Sequence, residues 1–158
     1  MRKQGFTLVE VLVAIVLIGL AIASLVAANY SFTRANGAGV NLSTAEFLIE
    51  QIRELMAPLA VIDPDTGISV FGPEESSLAD YDDLDDFDSA NFCPPINAAR
   101  ETLNDYANFT QQITIENVSA SDFEQVVSNH TSNFIRVTVK VFVNSEQINS
   151  VSWVRAEY

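Results

Sequence analysis

Residues 6–28 read FTLVEVLVAIVLIGLAIASLVAA, and Glu10 is the only charge in these 23 positions. As a helix the run would be about 35 Å long, enough to cross a hydrocarbon core of about 30 Å. It follows Met1-Arg2-Lys3-Gln4-Gly5, which is short, polar and basic. Basic residues before a span predict a cytoplasmic N-terminus, with the rest of the chain translocated. A secretory signal would carry an apolar region of about 7–15 residues and then a small-residue cleavage site. This run is too long for that, and a compact signal-peptide boundary is hard to place. A plain single-span anchor fits the length but does not account for Glu10. A carboxylate in an apolar helix costs roughly 2.5–3.5 kcal/mol at mid-membrane, less near an end. No Lys or Arg stands one turn away to pair with it. Its expected partner is a positive charge on another chain, or a newly made amino terminus.

The full chain has 158 residues, 48% of them hydrophobic, with 8 basic against 21 acidic side chains and a formal net charge of −13. That length suits one domain with a modest core. The acidic excess argues against a nucleic-acid partner, because little positive charge is present to neutralise a phosphate backbone. One cysteine, Cys93, and one histidine, His130, exclude an intrachain disulfide framework, a Cys/His zinc site and most Cys–His catalysis. No Gly-rich phosphate loop follows a strand, and no Ser–His–Asp set is evident. The residues point away from an enzyme, and no required cofactor is expected. His130 reads as a loop histidine, Cys93 as a small buried hydrophobe, and Trp153 as core or subunit contact. The five Asn-x-Ser/Thr triplets, from Asn29 to Asn129, read as incidental in a chain rich in those residues.

Beyond the apolar run, residues 29–40 are polar and contain Gly37 and Gly39, which predicts a kink or a melted stretch. Helical spacing then resumes, with Ala45, Leu48, Ile49, Ile52, Leu55 and Met56 on one side and Glu46, Glu50 and Glu54 on a solvated other side. Pro58 closes this helix. Residues 58–103 read as an acidic connecting region with five prolines, at 58, 64, 73, 94 and 95. In it, Asp63-Pro64-Asp65-Thr66-Gly67 has half of an EF-hand spacing without the bidentate acid. Asp80, Asp82, Asp83, Asp85, Asp86 and Asp88 fall within nine residues, just downstream of Glu74 and Glu75. Two readings stand for these aspartates: a solvated, self-repelling loop, or a set of hard oxygen ligands suited to Ca²⁺. Residues 104–158 alternate like strands. Ile113 and Ile115 share a face, as do Ile135, Val137, Val139, Val141 and Val143 opposite Arg136, Thr138 and Lys140. Residues 144–147 form a turn, and residues 148–155 return as a partner strand. The expected fold is α+β, with the second half of a long N-terminal helix covering one face of a three- or four-stranded antiparallel sheet.

The order of short basic leader, Gly5, Phe6, Thr7-Leu8, Glu10 and long apolar run resembles the class III signal of type IV prepilins and type II secretion pseudopilins. The resemblance implies a leader of residues 1–5, a membrane-spanning and filament-core helix of residues 6–28, and a pilin-like head of residues 29–158. It implies that a prepilin peptidase cuts between Gly5 and Phe6 and methylates the new amine of Phe6. Glu10 then becomes the glutamate that pairs with a neighbouring subunit's amine, and Gly19 stands where many pilins have a glycine. Implied partners are other pilin subunits, the peptidase and an inner-membrane assembly platform. The implied location is the bacterial inner membrane, then a pilus or pseudopilus.

A looser resemblance runs through the helix Ala45–Arg53, the Asp63-Pro64-Asp65 turn and the Tyr81–Phe87 segment. It is to minor pilins of the mannose-sensitive haemagglutinin (MSHA) type, to V-type minor pilins and to I-type minor pseudopilins. Ser89-Ala90-Asn91-Phe92-Cys93 stands where that group has a Gly-containing turn, and Cys93 lacks the partner that staples many pilin heads. A minor subunit is the expected role. The alternatives are a major pilin or pseudopilin, a filament-tip adhesin whose acidic loop contacts a ligand, and a membrane-anchored binding protein that never polymerises.

Overall fold

The computed structural model describes residues 5–64 and 70–157. The leader residues 1–4 and the Asp65–Gly67 part of the Asp-Pro-Asp turn therefore lie outside the described residues. In chain order, helix α1 (Leu8–Met56) precedes strands β1 (Asn91–Phe92), β2 (Phe109–Ser119), β3 (Asp122–Val126), β4 (Phe134–Val143) and β5 (Glu146–Ala156). Short 3-10 turns occupy Asp85–Phe87 and Asn104–Tyr106. By its contacts the chain forms two units, Met1–Val40 and Asn41–Tyr158.

Helix α1 is continuous through residues 29–40, which corrects the expectation of a melted stretch there. Each glycine costs about 1 kcal/mol in a helix interior, and two of them do not outweigh the cooperativity of a helix continuing on both sides. All residues from 5 to 40 are exposed in the isolated chain. Two hydroxyls in this stretch turn back on their own backbone: Ser24 Oγ donates to Leu20 O at 2.8 Å and Thr33 Oγ1 to Asn29 O at 3.0 Å. An apolar surround therefore meets no unpaired hydroxyl proton at these two positions.

In the second unit, Ala45, Leu48, Ile49, Ile52, Leu55 and Met56 are all buried, and Glu46, Glu50 and Glu54 are exposed, as the helical spacing requires. The facing layer is an antiparallel sheet in the order β1-β2-β4-β5, with β3 paired to the far end of β2. β4 alternates without exception, burying Ile135, Val137, Val139, Val141 and Val143. Burying an aliphatic side chain of this size contributes roughly 1.5–3 kcal/mol. On the outer face Arg136 of β4 pairs with Glu116 of β2 at 2.8 Å. The β4–β5 turn needs only Asn144 and Ser145, both at positive φ (49° and 72°), so Glu146 and Gln147 already belong to the strand. The sheet has one more hairpin than expected, because β3 is exposed throughout and leaves no periodic apolar signal.

Two polar side chains on the buried face tie the layers together. Gln111 is fully buried; its Nε2 donates to Leu48 O in α1 at 2.9 Å and to Ile96 O at 3.2 Å, and its Oε1 accepts from Ile96 N at 2.8 Å. Arg155 of β5 reaches the C-terminus of α1, where Nη1 donates to Met56 O at 2.9 Å and Nη2 to Leu59 O at 3.2 Å. It satisfies carbonyls that a helix end leaves without intrahelical donors. Gln111→Ala leaves the Ile96 amide without its buried acceptor, a cost of about 1–3 kcal/mol. We expect a lower denaturant midpoint with unchanged slope for the detergent-solubilised chain, checked by urea unfolding followed by tryptophan fluorescence.

Candidate functional site

The N-terminal segment is organised by Thr7 and Glu10. The Thr7 amide donates to Glu10 Oε2 at 2.8 Å, the Thr7 hydroxyl donates to the same oxygen at 2.9 Å, and the Glu10 amide donates to Thr7 Oγ1 at 3.3 Å. This is a capping box, a Thr at the helix start and a Glu three residues on, each satisfying the other's backbone N–H. It explains why α1 begins at Leu8. The sequence pointed to a positive charge on another chain or a newly made amino terminus as the partner of Glu10, and the Thr7 hydroxyl was also legible as one in the Thr-x-x-Glu spacing. Upstream, Gly5 has ordinary backbone geometry, and a Cβ placed on it meets nothing within 4 Å. The chain's own fold does not require glycine there. Phe6 is 88% exposed.

The acidic segment is packed rather than solvated. Leu84 and Phe87 are fully buried and draw Asp83, Asp85 and Asp86 in with them, to between 1% and 2% exposure. Asp80 stays exposed, and Asp82 and Asp88 are half-buried. Each inward aspartate holds backbone: Asp86 Oδ2 accepts from the Asp82 and Asp83 amides at 2.9 and 3.3 Å, and Asp83 Oδ1 accepts from the Asp86 amide at 3.1 Å. Asp85 Oδ2 accepts from Gly72 N at 3.0 Å, and Asp88 Oδ1 from Ile115 N of β2 at 2.9 Å. The expectation of a self-repelling loop is corrected for these residues, because apolar neighbours three positions apart, Leu84 and Phe87, supply the driving force for burial.

Of the six aspartates, Asp86 belongs to the group of converging carboxylates found among the described residues. The carboxylates whose oxygens converge, all within 4.8 Å of one another, are those of Glu74, Glu75 and Asp86. Arg100 comes to this region but donates to the carbonyls of Leu78 at 2.9 Å and Ala79 at 2.6 Å rather than to a carboxylate. Burial, reinforced by a hydrogen bond with the Asp85 carboxyl, pushes the Asp83 carboxyl from its ordinary 3.8 up to about 8. A hydrogen bond with the Asp86 carboxyl, then burial, pushes Glu75 up to about 7. With both folded-state values raised, the stability these groups contribute is complete at low pH. It is lost as the pH rises from the ordinary carboxylate range through the raised values.

Three other singled-out residues have structural surroundings. His130 sits at φ 57° with Nε2 2.7 Å from Val70 O and its ring edge-on to Phe71. Trp153 is half-buried under the Arg53 guanidinium, 5.0 Å from its ring centre. Cys93 is exposed, which corrects its reading as a buried hydrophobe; the neighbouring Pro95 and Ile96 fill the buried positions instead.

Residues 1–26 match the family model of the prokaryotic N-terminal methylation motif. No curated protein and no solved structure is matched. The motif is the class III prepilin signal, and it sits on a chain whose long apolar helix leads into an antiparallel sheet. The likeness to that family covers residues 1–26, the segment before α1 and the first part of the helix, and the α+β arrangement that follows is pilin-like.

Proposed function

We propose that this chain is a minor subunit of a type IV pilus or a related secretion pseudopilus. It is made as a single-span inner-membrane precursor, and prepilin peptidase cuts it between Gly5 and Phe6 and methylates Phe6. The inner-membrane assembly platform then delivers it to the filament, where residues 6–28 pack among the helices of other pilin subunits and residues 29–158 form the head. The observation that carries this reading is the first unit of the structure. An apolar helix exposes large side chains on every side, from Leu8 at 80% to Val26 at 62%, and only lipid or other apolar helices can cover it. Its most apolar 18-residue window has a mean hydropathy of 3.0. The unconstrained Gly5 also supports the reading, since a glycine without a role in the fold fits one that an enzyme recognises. The preference for a minor subunit rests on the order of amphipathic helix, acidic segment and sheet.

Mass spectrometry of filament-derived protein is expected to give N-methyl-Phe6 as the terminus; an intact Met1 terminus overturns the processing step. Gly5→Val is expected to block cleavage while leaving the head's melting temperature unchanged, because its side chain enters open space. Glu10→Gln separates two roles of the carboxylate. Glutamine still completes a capping box and lowers the insertion cost, so membrane insertion should hold. If Glu10 pairs with a neighbouring amine, incorporation into sheared filaments should fall about tenfold relative to wild type, read by immunoblot. Equal incorporation leaves Glu10 as a helix cap alone.

A further inference from the structure

We propose that Glu74, Glu75 and Asp86 form a divalent-cation site of the Ca²⁺ class, which clips residues 74–75 onto the 3-10 turn Asp85–Phe87. The site is independent of the filament reading, because it belongs to the head alone. Its three ligand oxygens lie within 4.8 Å of one another. Two oxygens bound to one Ca²⁺ at about 2.4 Å can be no farther apart than about 4.8 Å, so the trio fits a single coordination sphere.

A second observation points to an ion rather than to a cluster of surface acids. Asp86 is 1% exposed, and its two oxygens differ in surroundings. Oδ2 takes two backbone amides, whereas Oδ1 is buried and takes no amide, hydroxyl or cationic donor among the described residues, the Asp86 carboxyl otherwise meeting only that of Glu75. Glu75 Oε2 and the adjacent Asp83 Oδ2 are likewise buried without an amide or cationic donor, Glu75 meeting the Asp86 carboxyl and Asp83 that of Asp85. An anionic oxygen left in this state costs far more than a paired one. The charge has no local remedy, since no Lys or Arg occurs between Arg53 and Arg100, and Arg100 spends its donors on carbonyls.

The donor chemistry selects the metal. All three ligands are carboxylate oxygens, with no imidazole or thiolate in the group, which disfavours Zn²⁺ and Cu²⁺. Glu74 and Glu75 are half-buried, so an ion can enter and keep waters in its remaining positions. Ca²⁺ accepts such an irregular, partly hydrated shell, whereas Mg²⁺ demands near-octahedral geometry. The rival occupant is a proton shared between Glu75 and Asp86.

The test uses the full-length chain in non-ionic detergent, titrated with CaCl₂ by calorimetry and melted in CaCl₂ or chelator at matched ionic strength. Expected are saturable binding of one ion and, at a hundredfold excess over Kd, a melting temperature higher by on the order of 10 °C. Glu75→Gln, whose amide oxygen can still accept from the residue's own N–H, should weaken Ca²⁺ binding at least tenfold, while Asp80→Asn at the exposed aspartate should leave it unchanged. Three results overturn the proposal. The first is a melting temperature indifferent to Ca²⁺, with Glu75→Gln stabilising the chain in chelator, which is the shared proton. The second is equal loss with Asp80→Asn, which is diffuse screening. The third is saturable binding that Glu75→Gln leaves intact, which places the ion elsewhere.

Discussion

One backbone helix has to satisfy two different surroundings, and the rest of the molecule follows from that constraint. Over residues 5–40 no side chain is buried by the chain itself, so the medium that covers the helix must come from outside. Over residues 45–56 the same helix becomes amphipathic, and its apolar stripe finds the valine face of β4 and the isoleucines of β2. The change requires no break in hydrogen bonding, only a change in which positions are apolar. Gly37 and Gly39 fall near this change and remain helical. A helix of this kind can exchange one apolar cover, lipid or other helices, for another while its backbone stays satisfied.

The head is then held by polar groups acting over long distances in sequence. Gln111 joins helix, connecting region and sheet through one amide, and Arg155 closes the helix end from the last strand. Arg100 gathers the carbonyls of residues 78–79, and Asp88 holds β2 from the acidic segment. The connecting region has little regular structure, so side chains supply the hydrogen bonds that a ladder would otherwise provide. This arrangement gives the acidic segment its character. Its carboxylates are needed as backbone acceptors, and meeting that need brings them together inside the protein at the cost of mutual repulsion. A bound cation would answer the repulsion without removing any of those acceptors.

Glu10 shows the same economy at the other end of the chain. Its carboxylate starts the helix by binding Thr7, so a charge in an apolar segment already has a structural role before any second subunit arrives. Both bonds end on Oε2. The pairing suggested for a filament is therefore an addition to the cap and does not require its loss.

Wherever the deciding signal is local, the sequence alone was sufficient. The apolar run of residues 6–28, the stripe from Ala45 to Met56, the end of the helix before Pro58 and the alternation of β4 each depend on neighbours within four positions, and the structure has all of them. Gly5 and Phe6, proposed here as the processing residues, stand in a contiguous pattern of the same local kind. Only the tertiary structure decided the rest. The buried polar partners lie 63 and 99 residues apart in the cases of Gln111–Leu48 and Arg155–Met56, beyond any periodicity. Aspartate density marked a region but could not say which carboxylates turn inward. That depended on Leu84 and Phe87 entering the core, and it brought Glu74 and Glu75 to Asp86 in place of the six aspartates taken together. Local sequence sets which surfaces must be hidden; which polar groups meet once they are hidden is settled by packing.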